Sequence, residues 1–278
     1  MTSTISFTAP GDFGGAKIHA LANIHPSAII EPGAIIGANV EVGPWTLIAK
    51  DVEIGEGTII RSHVVIKGPT KIGKNNQIFQ FSSIGEDCQD KKYAGEATRL
   101  EIGDNNVVRE SCTIHRGTSQ DKGVTLIGNN NLFMAYVHVA HDCVIGNECI
   151  FANTTTLAGH VHIADHAILG GGTMVHQFCK VGLHSMSAGG SIVLRDIPAF
   201  VMASGQSAAA HGLNTEGLKR RGFTSDQITA LKRAYKTVYR KGLRLTDALE
   251  ALDEPAKNSK EVELFVNSIK SSDRGIIR

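Results

Sequence analysis

Residues 135–178 read AYVHVAHDCVIGNECIFANTTTLAGHVHIADHAILGGGTMVHQF. An apolar residue recurs every six positions, at Val139, Ile145, Phe151, Leu157, Ile163, Leu169 and Val175. Between them fall six of the chain's histidines: His138, His141, His160, His162, His166 and His176. A period of six matches neither the 3.6 of an α-helix nor the 2 of a lone strand. It is the hexapeptide pattern of a parallel β-helix, in which a short strand points one apolar residue inward and the chain then turns. Three hexads close one triangular coil, so residues 18 apart stack. By that step His141, Gly159 and Gln177 share one column, and Asp142 and His160 share the column beside it.

Working outward, the period begins at Ile18 and holds through Ile24, Ile30, Ile36, Val42, Ile48, Ile54, Ile60, Ile66, Ile72, Ile78 and Ile84. A charged stretch at 86–99, EDCQDKKYAGEATR, interrupts it, and it returns at Ile102, Val108 and Ile114. A second break at 115–126 shifts the phase by one before Ile127 and Phe133 resume it. The register then runs to Val193 with one polar exception, Ser187. The repeats amount to nine coils, a prism roughly 40 Å long at ~4.8 Å per coil. Loops that break so regular an array point to function, since the array gains nothing from them.

The expected organisation is an N-terminal extension at 1–17 and an all-β parallel helix at 18–196 with loops at 86–99 and 115–126. A connector at 197–214 and a small α-helical subdomain at 215–278 follow. In the last, Leu231, Tyr235, Val238 and Tyr239 share a helical face, and Thr224 with Gln227 are spaced as a capping box. Short helices fit 245–252 and 258–271, with Pro255 in the joint. A unit this small needs a surface to pack on, either the prism or a neighbouring subunit.

Composition narrows the function classes. Gly is abundant at 30, Pro scarce at 7, and aromatics make up 5%. A net charge of +1 argues against a nucleic-acid partner, and no apolar run approaches the ~20 residues of a membrane span. The stretch MTSTISFTAPGDFGG lacks the features of a secretory signal. Five cysteines without CxxC spacing suggest reduced fillers in a cytoplasmic protein rather than a disulfide framework.

His141 followed by Asp142 is the strongest candidate for chemistry. A neutral imidazole is the usual base near pH 7, and a carboxylate fixes its tautomer. Gly159 could offer a bare N–H to an oxyanion. Turn histidines and corner glycines are also ordinary in such repeats, so the stacking carries the argument. A metal site is the rival use of the histidines, but no Cys–His ligand spacing is present. Gln89, Asp90, Lys91 and Lys92 put charge on an excursion from the prism. The run Asn214–Arg221 ends in two adjacent arginines, whose forks suit phosphate oxygens. Neither a Walker motif nor a GxGxxG followed by a helix is present.

The segments VHVAHD, FANTTTLAGH, GGTMVHQFC, LNTEGLKRRGF, QDKKYAGEATR and ESCTIHRGT resemble the UDP-N-acetylglucosamine O-acyltransferases, hexapeptide-repeat enzymes that catalyse the first step of lipid A biosynthesis. The resemblance spans roughly 18–278. It implies a left-handed β-helix, a hand that the sequence alone does not supply. It also implies a homotrimer with sites between subunits, no cofactor and no metal. The expected reaction moves an (R)-3-hydroxyacyl group from acyl carrier protein to the sugar's 3-hydroxyl. By the same resemblance His141 is the general base, Asp142 orients it and the Gly159 N–H holds the oxyanion. Gln89, Asp90, Lys92, His138, His160, His176 and Gln177 would line the sugar and acyl pocket. Asn214, Glu216, Arg220 and Arg221 would hold the uridine diphosphate, and Gly189 would leave room for a long acyl chain. Lys91 and the first 17 residues depart from the family pattern. Competing expectations are the pathway's N-acyltransferase, which carries a further N-terminal domain, a carbonic anhydrase-like metalloenzyme with an interface histidine site, and a non-enzymatic β-helix scaffold.

Overall fold

The computed structural model describes residues 15–278; most of the extension expected at 1–17 lies outside the described residues. From Lys17–Ile18 to Ile192–Val193 the chain forms short strands, most of them two residues long. They stack as three parallel sheets, the walls of a triangular left-handed β-helix. The first wall holds the strands from Lys17–Ile18 to Lys180–Val181. The second begins at Asn23–Ile24 and the third at Ile29–Ile30. Partners across neighbouring coils are 18 apart wherever no loop intervenes, as with Val139↔Leu157 and Ile145↔Ile163.

The hexad residues point inward and are buried, Ile48, Ile66 and Leu157 completely. Truncating one to Ala should cost about 2–5 kcal/mol, from lost transfer energy and the cavity left behind. Two positions before each, a second small residue fills the inside of the corner. Cys112, Cys143, Cys149 and Cys179 occupy this place and are fully buried. Burial pushes their thiols up, those of Cys143 and Cys149 to about 12, so they are fillers rather than nucleophiles. On the second wall Phe133 and Phe151 stack with ring centres 4.7 Å apart. The polar exception, Ser187, is tolerated because its hydroxyl meets Thr173 Oγ1 at 2.8 Å and accepts from the Gly170 N–H at 3.1 Å.

At most corners the sixth residue adopts the left-handed region, including Asp142 (φ 57°), His160 (φ 59°) and Phe178 (φ 67°). Non-glycine residues are uncommon there, Asp and His less so than most. These corners therefore present side chains at fixed angles along each edge of the prism.

The two interruptions are shorter than the sequence suggests, because adjoining strands lengthen to Ser83–Glu86, Arg99–Ile102 and Val124–Ile127. Pairings such as Leu100↔Thr125 and Glu101↔Leu126 absorb the phase shift. The stretch expected as a connector is instead structured. Val201–Ser204 pairs in parallel with Met186–Ser187, and Ala209–Leu213 returns antiparallel to it. The hairpin covers the last coil, whose exposed edge would otherwise invite pairing with another chain.

Five helices follow: α1 (Thr215–Arg220), α2 (Ser225–Tyr239), α3 (Leu245–Glu250), α4 (Asp253–Lys257) and α5 (Lys260–Lys270). Thr224 and Gln227 form the expected reciprocal capping box on α2. Pro255 lies within α4 rather than in a joint; in the first turn its missing N–H has no intrahelical partner to lose. The helices dock on the prism. Ala199 N donates to Ser268 Oγ at 2.9 Å, Tyr235 donates to the Ala210 carbonyl, and Lys180 reaches Asp273 at 2.6 Å.

Candidate active site

Both interruptions and the histidine-rich corner open from the same edge, where the third wall turns into the first. The strand Ser83–Glu86 leads into the first loop and Thr113–His115 into the second. The strands His138–Val139 and Thr156–Leu157 then lead to the corners at His141 and His160. Coil upon coil, the repeat thus aligns two loops beneath a ladder of imidazoles.

His141 Nδ1 lies 2.9 Å from Asp142 Oδ2, and the Asp142 residue is only 2% exposed. That carboxylate also accepts from the Thr118 N–H at 2.9 and 3.1 Å and from the Thr118 hydroxyl at 2.6 Å. Burial alone would raise the Asp142 carboxyl. The hydrogen bonds from His141 and Thr118 outweigh it and hold the group below its ordinary value. Asp142 is therefore a fixed anion that orients the His141 ring. Beneath the ring lies Gly159, where a Cβ would collide with the imidazole; only glycine leaves the ring in place. Among the described residues the Gly159 N–H has no acceptor, which leaves it available to a ligand oxygen.

His160 meets the His141 ring edge-on at 5.0 Å and stacks on Phe178 at 4.5 Å. Its Nδ1 lies 2.8 Å from Asp121 Oδ2, and its Nε2 lies 3.8 Å from Asp142. His138, one strand earlier, bonds Thr113 Oγ1 at 2.7 Å. Burial, then His115 and His141, pushes it down to about 4, so it is neutral at pH 7. His176 is exposed and bonds the Gln177 carbonyl. Gln177 stacks over Gly159, as the Phe178 N–H to Gly159 carbonyl bond of 3.1 Å requires.

Gln89, Asp90 and Lys92 sit on the first loop at this edge. Asp90 accepts from the Lys92 N–H at 3.0 Å, while Gln89 and Lys92 are exposed. The loop is pinned by Arg116, buried and unforeseen from sequence, which reaches the Gly68 and Gly85 carbonyls, Asp87 and Tyr93.

The remaining expected residues stand elsewhere in the chain. Glu148, His166 and His184 form another 18-residue column, on the edge between the first and second walls. Arg221 docks against it, contacting His166 Nδ1 and Glu148. Asn214 is buried, caps α1 and donates to the His184 carbonyl at 3.1 Å, so its amide is already used within the chain. Glu216 pairs with Lys219 at 2.8 Å, and Arg220 is exposed. Gly189 lies on the third edge, exposed. A hexad spans at most about 20 Å, so one chain spreads these residues over three edges. Glu148 was legible from the 18-residue step. Thr118 and Asp121 were not, because the phase shift hides what that loop faces.

Comparison with known proteins follows the same lines. The family described as Udp N-acetylglucosamine O-acyltransferase, domain 2, matches residues 196–277, and the bacterial transferase hexapeptide family matches 33–68 and 125–159. An acyl-[acyl-carrier-protein]–UDP-N-acetylglucosamine O-acyltransferase of Stutzerimonas stutzeri is 57% identical over 255 residues, covering 92% of this chain and 99% of the relative. The solved structure of LpxA from Acinetobacter baumannii is 50% identical and superposes with a TM-score of 0.90, covering 92% of this chain and 99% of that one. A Francisella novicida UDP-N-acetylglucosamine acyltransferase is 48% identical, with a TM-score of 0.84 over 94% of each chain.

Proposed function

The chain belongs to the acyl-[acyl-carrier-protein]–UDP-N-acetylglucosamine O-acyltransferases, and on that premise we propose that His141 is its general base. The enzyme transfers an acyl group from acyl carrier protein to UDP-N-acetylglucosamine in lipid A biosynthesis. The single observation that carries the proposal is the His141–Asp142 pair laid over Gly159. In the proposed step His141 Nε2 takes the proton of the sugar's 3-hydroxyl. The oxygen attacks the (R)-3-hydroxyacyl thioester carbon, and the Gly159 N–H donates to the oxyanion. The C–S bond then breaks, and the imidazolium returns the proton to the departing thiolate. A thioester is already activated, so a positioned base and one oxyanion donor suffice, with no acyl-enzyme. His141→Ala should lower turnover by about 10²–10⁴-fold with the fold intact. Near-parental turnover, or a trapped acyl-protein, would sink the mechanism.

The uridine diphosphate we assign to Glu216, Arg220 and Arg221, with Asn214 capping the helix that carries them, and the acyl chain to the side bearing Gly189. His138, His160, His176 and Gln177, with Gln89, Asp90 and Lys92 of the loop, are assigned to the sugar and thioester. Since these groups stand on separate edges of a flat-walled prism, the proposed assembly is a homotrimer whose sites each draw on two chains. No helix among the described residues is long and apolar enough to cross a membrane, and the free buried cysteines suit a cytoplasmic setting.

A second reading rests on one observation, that His141, Asp142 and His160 offer metal-ligand atoms all within 4.8 Å of one another. Against it, the Asp142 oxygens already accept from Thr118, and His141 Nδ1 faces that carboxylate. Turnover abolished by a chelator and restored by zinc would favour this reading.

A further inference from the structure

The second loop, which the reaction as described leaves unused, sends two polar side chains into the histidine ladder. Thr118 is 6% exposed and gives both its backbone N–H and its hydroxyl to Asp142. Three residues on, Asp121 meets His160 Nδ1 at 2.8 Å. The loop between them is itself braced. Gly123 N–H donates to the Thr118 carbonyl at 3.1 Å, and Gly117 N–H to the Arg99 carbonyl at 3.2 Å. Gly117 packs so closely that a Cβ there would stand 2.7 Å from Asp142 Oδ1. Ser119 further ties the loop to Glu96 of the first loop at 3.2 Å.

We propose that this loop is a positioning element for the reaction, with Thr118 orienting Asp142 and Asp121 setting the ring of His160. The inference rests on the assignment of His141 as base. Without the Thr118 hydroxyl, a nearly fully buried carboxylate loses one of its charge-assisted bonds and gains freedom to rotate away from His141. Asp121 acts differently. Receiving the Nδ1–H of His160, it holds that ring in the tautomer whose Nε2 carries a lone pair, turned toward the His141–Asp142 side. A ring so held can accept from a substrate hydroxyl; a freely flipping one is correct only part of the time. Phe178 covers one face of His160 and the His141 ring stands perpendicular to it, so among the described residues Asp121 is the side-chain partner of its Nδ1.

The test pairs a disabling with a restoring substitution at each position. Thr118→Val removes the hydroxyl and keeps the backbone N–H, whereas Thr118→Ser keeps both. Asp121→Ala removes the acceptor, whereas Asp121→Asn retains an oxygen that can take the Nδ1–H. Turnover of UDP-N-acetylglucosamine with an acyl-carrier thioester is measured for all four, beside His141→Ala and the thermal midpoint of each protein. Thr118→Val should lower kcat about 10- to 100-fold, the worth of one charge-assisted hydrogen bond, with Thr118→Ser near the parent. Asp121→Ala should lower kcat/KM about tenfold with an unchanged midpoint, and Asp121→Asn should recover most of the loss. If His141→Ala is crippled while Thr118→Val or Asp121→Ala works within twofold of the parent, the positioning role falls and the base assignment stands. Failure of the Ser or Asn variant to restore activity also overturns it. Normal turnover in His141→Ala would instead remove the assignment on which it rests.

Discussion

Replacing Gly159 with alanine adds one methyl group and should disable the enzyme without unfolding it. The residue is outside the left-handed region, so alanine fits its backbone, and the unfolded chain's lost freedom would favour folding by ~0.4–1 kcal/mol. The added Cβ would stand 2.5 Å from His141 Nε2 and 3.1 Å from Nδ1, whereas ordinary contact begins near 3.4 Å. The three atoms nearest that Cβ all belong to the His141 ring, so the ring must yield first, by about 1 Å. The ring is also bounded by the perpendicular His160 ring at 5.0 Å and tied to Asp142 at 2.9 Å, so it yields only by breaking its alignment. A misplacement of about 1 Å costs ~10²-fold in rate, or about 2.7 kcal/mol of transition-state stabilisation. The assay is steady-state turnover with the thermal midpoint measured alongside. In a His141→Ala background the same change should cost nothing further, since there is no ring left to displace. A Gly159→Ala enzyme within twofold of parental kcat would refute the reasoning. So would one whose loss tracks a collapse of the midpoint.

Arg221→Ala should act mainly on KM for the sugar nucleotide. One charged fork to phosphate is worth about 1.5–3 kcal/mol, lessened here because free Arg221 already pairs with Glu148 and His166; an unchanged KM would take Arg221 out of the site. Mixing His141→Ala chains with Arg221→Ala chains, unfolded and refolded together, should regain part of the parental turnover if each site draws on two chains, and a fully active monomer in sedimentation would end that view. Acid should destabilise the fold through half-buried His138 and buried His184. His138 and His184 are each pushed down to about 4 by burial, so below about 6.5 the unfolded chain takes up protons that the folded chain refuses. Their contribution is whole above 6.5 and is lost as the pH falls toward 4, at most about 3 kcal/mol for each. His138→Gln should make the decline of the thermal midpoint across that window shallower, and an identical decline in both proteins would contradict the assignment.

The repeat was legible because burial in a β-helix is periodic. Ile18 through Val193 had to point inward every sixth residue or leave the prism without a core, and the 18-residue step followed from three walls. That step alone brought His141 over Gly159 and Asp142 beside His160. The same step applied to Glu148 would reach His166 and His184, but only the structure showed that column to matter, with Arg221 docked upon it. The helical segment was legible where caps and faces recur locally, as at Thr224 and Gln227. Local signals failed where long-range pairing decided the outcome. The hairpin at 201–213 forms because the last coil offers an open strand edge, which a scan for hexads cannot register. The two loops carry no period, so nothing in their order of residues says what they face. Arg116 beneath the first loop and Thr118 and Asp121 against the histidines are contacts of tertiary structure, made across 24 residues from Thr118 to Asp142 and 39 from Asp121 to His160. Sequence could name the base and its carboxylate because they are neighbours in the chain. What holds that carboxylate still arrives from another coil, and only the folded prism brings it there.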